Sequence, residues 1–459
     1  MPSSLGIVAS GEDVLNDAVL WLDASLSSVS GGKLTNLGKG GSALDAQFGS
    51  TTSTDTNDPL LLTHTGTNYL YLPGVGTFTN SVTSPSSTAL NSVTGDAEFL
   101  LDFAMDSWNT STVDVVGRNG ADPNRVWMIR ILSTGVPRLA IYPSGTNASI
   151  INYTCPSVVP FTAAQRGQLK ITLDVDNGSS QSVATFSTAT DGSTFTTLGT
   201  ATGAVTSLLG TTATGLAMNV SQGASEFAGK LYRFSFRNGI GGTTVFDADF
   251  TTGITSGAQA TFTESSANAA TVTINRATSG RKAVAVTRNV LLFGTDDYLE
   301  VADNDLLNFG ASESFTVVAV ARVWATLPAF ASIMAKKISG NVADVGWSIY
   351  VATAGALNPR LSDGTVQPAP SPGTLTSGSL RLVGVVRNVG ADTITGYLNN
   401  AANSITDSST GTFANAEVLR IGRLSGSGTS YTDMEFIAAA VFRRVLTANE
   451  IATIVARYT

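Results

Sequence analysis

Leu169-Lys170-Ile171-Thr172-Leu173-Asp174-Val175 places an apolar residue at every second position. A period of two is that of a β-strand with one face on a core and the other toward water. Working outward, similar β-branched and aromatic runs recur at Phe99 to Met105, Val126 to Leu132, Leu231 to Arg237, Phe315 to Val323, Trp347 to Val351 and Leu380 to Arg387. Gly, Asn, Asp, Ser and Pro break these runs, which is how antiparallel sandwiches read in sequence. Asp191-Gly192 and Asp363-Gly364 stand between strand-like runs and predict tight hairpins, with glycine supplying the positive φ. One helix is legible, at the end of the chain. Thr447 is its N-cap and Glu450 completes a capping box ahead of Ile451, Ile454 and Val455.

The runs are ordered alike in the two halves. Val126-Trp127-Met128-Ile129, Pro137-Arg138-Leu139, Ser144-Gly145-Thr146 and Gly167-Gln168-Leu169-Lys170 are echoed by Gly346-Trp347-Ser348-Ile349, Pro359-Arg360-Leu361, Asp363-Gly364-Thr365 and Gly378-Ser379-Leu380-Arg381. The offset is roughly 210 to 220 residues, as in a duplicated domain. Trp127 and Trp347 hold equivalent places within apolar strands, which assigns one to each core. Thr251 to Ser279 is dense in Ala, Thr, Ser and Gly and marks the division. The expected organisation is a first sandwich over 61–250, a connector or edge strands over 251–285 and a second sandwich over 286–459. Residues 1–60 are expected to complete or dock against the first sandwich.

Composition narrows the functions open to such a chain. Charged residues make up 13% of 459, against about 25% in an average globular protein. The net charge of −8 is spread without acidic or basic runs, which disfavours nucleic acid and anionic membranes as partners. No run of about 18 apolar residues offers a membrane span. Cys155 is the single cysteine, so no internal disulfide forms, and a reducing cytosol is the expected place of assembly. Met1-Pro2-Ser3-Ser4-Leu5-Gly6 has neither the basic start nor the apolar stretch of a secretory signal.

Val290-Leu291-Leu292-Phe293-Gly294-Thr295-Asp296-Asp297-Tyr298-Leu299-Glu300-Val301 resembles the opening of a laminin-G-like, concanavalin-type jelly roll. The run from Glu435 to Ile451, a strand, a basic turn at Arg443-Arg444 and a helix, is similar to the ending of such domains. Thr190-Asp191-Gly192-Ser193-Thr194-Phe195-Thr196-Thr197-Leu198-Gly199, Gly229-Lys230-Leu231-Tyr232-Arg233 and Leu20-Trp21-Leu22-Asp23-Ala24-Ser25 resemble segments of minor tail proteins of actinobacterial, long-tailed bacteriophages. The resemblance implies an all-β fold of two tandem concanavalin/laminin-G-like jelly-roll sandwiches with a short C-terminal helix. It implies a structural role at the tail tip of a virion assembled in the bacterial cytoplasm. The partners would be other tail proteins and host cell-envelope glycan, with the chain an oligomer in the particle. A lectin-like carbohydrate-binding module pair of a bacterial extracellular protein, and a phage head-decoration protein, share this fold and composition.

Catalytic constellations are hard to assemble from this chain. Glycoside cleavage needs two carboxylates about 5 to 10 Å apart. The available spacings are Glu98 with Asp102, Asp102 with Asp106, and Asp433 with Glu435. None reproduces the Glu-x-Asp-x-x-Glu strand of enzymatic jelly rolls, and the first three read as solvent-facing residues of a half-buried strand. His64 is the only histidine and no Gly-x-Ser-x-Gly elbow is present, which argues against a hydrolytic triad. One His and one Cys are too few for zinc, and no Gly-Lys-Ser or Gly-Lys-Thr loop follows the glycine-rich stretches. The expectation is a non-enzyme without a cofactor, calcium excepted. Laminin-G-like domains bind calcium at a rim, which the resemblance carries to Asp296 and Asp297, with Asp303 and Asp305 nearby. The residues themselves favour a turn role for the same two aspartates, capping backbone amides before Tyr298. Among aromatics able to stack on a sugar (Trp108, Trp324, Trp347, Tyr350 and Tyr431), Trp324 and Tyr431 are the ligand-binding candidates.

Overall fold

The computed structural model describes residues 11–51, 53, 58–74, 79–108, 111–209, 214–219, 225–324, 331–424 and 431–459. The chain divides into two compact units. One takes the residues up to Thr63 with Ser279–Arg281 and Arg288–Thr459, and the other takes His64–Thr278 with Lys282–Thr287. Among the described residues each unit holds two eight-stranded antiparallel sheets.

In the unit starting at His64, one sheet runs Thr196–Ala204, Gln181–Ala189, Gly167–Asp174, Ala97–Met105, Ala228–Asn238, Tyr69–Pro73 and Val284–Val286, with Thr243–Asp249 also on Ala228–Asn238. The strand Gly167–Asp174 alternates buried and half-buried residues along its whole length, as its sequence predicts. The facing sheet carries Trp127 on Arg125–Ile131. Between the sheets the Trp127 ring lies 4.8 Å from Phe99 and 5.3 Å from Phe236. Each such ring, fully buried, contributes about 1.5–3 kcal/mol of transfer free energy. The segment 251–285 supplies Thr261–Thr263, Thr271–Asn275 and Val284–Val286, the first and last of which end their sheets.

The other unit repeats the strand order. Ala401–Thr406, Thr393–Leu398, Leu380–Asn388, Phe315–Val323 and Met434–Phe442 follow one another as the corresponding strands do in the first sheet. Trp347 is fully buried beneath its own sheet and donates to the Leu307 carbonyl at 3.3 Å. The helix Ala448–Tyr458 has the predicted capping box at Thr447 and Glu450.

Two expectations are corrected. The N-terminal segment completes the C-terminal sandwich and not the first. Leu20–Asp23 pairs with Met434–Phe442, setting Trp21 opposite Ala440, Leu22 opposite Ala439 and Asp23 opposite Ala438. Large side chains against a run of alanines are complementary across strands, and Leu20 and Leu22 enter that unit's core. Leu60–Leu62 pairs with Val290–Phe293 in the same sheet. Second, Asp363-Gly364 closes no hairpin, since Leu357–Ser362 and Leu380–Asn388 lie in different sheets. Gly364 does take the positive φ of 89°, while Asp363 accepts from the backbone N–H of Thr365, Val366, Thr410 and Gly411, pinning a crossing loop. Asp191-Gly192 joins two paired strands, as expected.

Candidate functional site

Four turns of the C-terminal unit converge on one rim, and all four site residues singled out from sequence lie there. The 294–298 turn is held by Asp297, which accepts from Gly294 N–H at 2.6 Å and from Arg281 through two hydrogen bonds of 2.8 Å. Arg281 also donates to the Asp58 carbonyl at 2.6 Å. Burial pushes the Asp297 carboxyl above the ordinary carboxylate range, against the pull of Arg281 and the Gly294 N–H. Asp433 accepts from Gly280 N–H at 3.0 Å with its side chain and from Trp324 N–H at 3.2 Å with its carbonyl. Thr432 ties the same turn to Gly422 and Ser332. Gly422 has φ of 95°, and a Cβ there would stand 2.7 Å from the Phe293 ring. Only glycine lets the strand ending at Ile421 turn outward at this point.

On this frame the Arg423 guanidinium lies between two rings, 4.7 Å from the centroid of Tyr298 and 4.9 Å from that of Tyr431. Arg420 approaches Tyr298 from the sheet side at 5.7 Å and is held by Glu300 at 2.8 Å. Tyr298 is buried and Tyr431 half-exposed. The stack thus presents one aromatic ring to solvent on a positively charged support, a geometry in which cation–π attraction fixes the ring's position.

The other expectations at the rim fare differently. Trp324 is buried, its ring 5.8 Å from the Arg322 guanidinium, so it offers no face for stacking. Arg322 is paired with Glu435. The calcium expected at Asp296 and Asp297 finds no donor set there. Asp297 is neutralised by Arg281, Asp296 is exposed, and Asp303 is bound by Lys336 Nζ at 2.7 Å. Among the described residues no group of three or more His, Cys, Asp or Glu side chains could hold a metal. The sequence reading missed Arg423 and Tyr298 as partners of Tyr431. The spacing of Arg420 and Arg423 around the turn at Gly422 was the available signal.

The acids weighed for catalysis are committed elsewhere. Asp102 is buried, not solvent-facing as its spacing suggested, and takes two hydrogen bonds of 2.8 Å from Arg166 and one of 3.0 Å from Gln168. Glu98 is paired with Arg237 at 3.5 Å, and Asp106 accepts from the Tyr71 hydroxyl at 2.6 Å. Acids four residues apart on one strand stand about 13 Å from each other, beyond the separations glycosidases use. His64 is engaged with Asn68 at 2.9 Å. Trp108 and Tyr350 are buried as well.

Residues 293–452 match the family model of the concanavalin A-like lectin/glucanases superfamily. No curated protein sequence matches the chain. Among solved structures, the CBM40 of the Ruminococcus gnavus IT-sialidase is similar at 12% identity, covering 31% of this chain and 83% of that one, with a TM-score of 0.27. Domains LG4-5 of the mouse laminin alpha1 chain are similar at 10% identity, covering 86% and 96%, with a TM-score of 0.28. The SAP-like pentraxin from Limulus polyphemus is similar at 18% identity, covering 32% and 72%, with a TM-score of 0.26. The fold is all-β, of sandwiched antiparallel sheets closed by one short C-terminal helix, and residues 293–452 are the part similar to the concanavalin A-like lectin/glucanases superfamily.

Proposed function

We propose that the chain is a non-catalytic binding protein that uses the Tyr298–Arg423–Tyr431 stack to engage an uncharged or weakly anionic glycan. The observation that carries this reading is the half-exposed Tyr431 ring held against Arg423. A ring fixed before the ligand arrives loses little conformational freedom on binding, and the guanidinium beside it donates to hydroxyl and carboxylate oxygens. The low charge of the chain suits a neutral polyhydroxylated partner. Asp102, Glu98 and Glu435 are paired with arginines, Asp106 accepts from Tyr71 and Asp433 from the Gly280 N–H, which supports binding without turnover.

The setting we propose is the tail of a long-tailed bacteriophage, with the chain a minor tail protein at the tip. Its support is the resemblance of Thr190–Gly199, Gly229–Arg233 and Leu20–Ser25 to tail-protein segments. Tail proteins and a host-envelope glycan are then the partners, and the chain reaches the particle from the bacterial cytoplasm. The alternative settings are a carbohydrate-binding module pair of a bacterial extracellular protein, which would use the same stack, and a phage head-decoration protein. A glycan array probed with the purified chain tests the first part: retention of a defined glycan class supports it, and an array without hits contradicts it. Immunogold labelling of particles tests the second, since label at the tail tip is expected and label on heads, or on no particle, overturns it.

A further inference from the structure

The strand Thr196–Ala204 ends its sheet, pairing with Gln181–Ala189 on one side. Among the described residues no strand takes its other side. Edge strands are ordinarily protected from other chains by charge, proline, brevity or bulges. This one spans nine residues without a charge or a proline. Its one irregularity passes over Leu198, between the pairs Ser187–Thr197 and Phe186–Gly199. From Gly199 to Ala204 the strand is regular, with exposed Thr200, Thr202 and Ala204 alternating with half-buried Gly199, Ala201 and Gly203.

We propose that this edge pairs antiparallel with the same edge of a second copy, about a two-fold axis at Thr202. That register sets Thr202 opposite Thr202, Ala201 opposite Gly203, Thr200 opposite Ala204 and Gly199 opposite Val205. It joins two eight-stranded sheets into one. The edge is complementary to itself. No charge meets a like charge, hydroxyl-bearing threonines face each other on the outer side, and an isologous contact closes after two copies. Val205 is left 46% exposed at the strand's end and Val158 54% exposed. Gly199 lies directly over Pro156, whose ring a Cβ would meet at 2.5 Å. Val205 of one copy, opposite Gly199 of the other, comes down beside Pro156. The pairing thereby covers the Val205 side chain, which a single copy leaves in water. It depends on neither the glycan nor the virion setting.

Sedimentation velocity of the full chain, with three variants, tests this. The wild type is expected at twice 47.2 kDa. Thr200→Lys with Ala204→Lys, both at exposed positions, places lysines opposite lysines and halves the mass with an unchanged melting temperature. Mixing that variant with Thr200→Glu, Ala204→Glu restores the doubled mass. Thr202→Cys forms a disulfide-linked dimer under mild oxidation, because the native Cys155 is buried. A wild type that stays monomeric at every concentration overturns the proposal. So does a lysine variant that remains dimeric, or a dimeric Thr202→Cys that fails to cross-link.

Discussion

Leu20 stands opposite Val441 in the register that joins the strand Leu20–Asp23 to Met434–Phe442. The two ends of the chain thus share one sheet, and the unit starting at His64 is inserted between parts of the other. Leu20, Leu22, Leu34, Leu44 and Ala46 all enter the core of the C-terminal sandwich. A chain beginning at Arg288 would lack them and expose the alanine face of Met434–Phe442. Residues 288–459 alone are expected to lack a dispersed amide NMR spectrum, whereas 64–287 alone fold. A dispersed spectrum from 288–459 would contradict this account of the N-terminal segment.

Arg387 and Asp407 form a buried ion pair at 2.6 Å, with side chains 2% and 3% exposed. Arg387 also donates to the Glu313 carbonyl at 3.0 Å. Removing one buried partner leaves the other charge uncompensated. Arg387→Met is expected to cost about 3–5 kcal/mol in urea unfolding. Arg387→Met with Asp407→Leu recovers most of that loss, and a double variant as unstable as the single would count against it.

Lys337 is fully buried, and burial pushes its ammonium from 10.5 down to about 8. Asp344 pulls the value up and Arg360 pushes it down. Because the folded value lies below the unfolded one, the unfolded chain binds more protons between pH 8 and 10.5, so this group's contribution to stability rises with pH across that window. Lys337→Met is expected to raise the melting temperature at pH 7, and the advantage should shrink as pH climbs through the window. An advantage that is constant with pH would show that Lys337 titrates normally.

Calcium should leave the protein unchanged. With Asp297 held by Arg281 and Asp303 by Lys336, a melting curve in calcium and one in chelator are expected to superimpose. A melting temperature that rises with calcium concentration would indicate binding to the folded state.

The sandwich was legible in sequence where local pattern decides structure. The alternation around Ile171 and the repeated tryptophans at 127 and 347 identify faces and cores without knowledge of partners, because a period of two is a property of the strand itself. The partner of Leu20-Trp21-Leu22-Asp23 was not legible. Its pairing depends on Ala438, Ala439 and Ala440, far along the chain, and apolar strands of this kind are acceptable to either core. At the rim the composition of Ser425–Ser430 pointed to Tyr431, yet nothing in that composition shows that Arg423, eight residues earlier in the same connection, lies against its ring. Trp324 follows an exceptionally apolar strand, and the same hydrophobicity that made it visible draws it inward. Asp297 was legible as a turn cap but not as the partner of Arg281, which lies across several turns.

The central claim is that Arg423 and Tyr431 form the ligand-binding surface. The direct measurement is titration of the best array glycan into the wild type and into Arg423→Ala, Tyr431→Ala and Ile240→Ser, the last an exposed change on the other unit. The account predicts that the first two weaken binding about tenfold or more, equivalent to 1.4 kcal/mol, with melting temperatures unchanged, while Ile240→Ser binds as the wild type does. Equal affinity across all four proteins would contradict it.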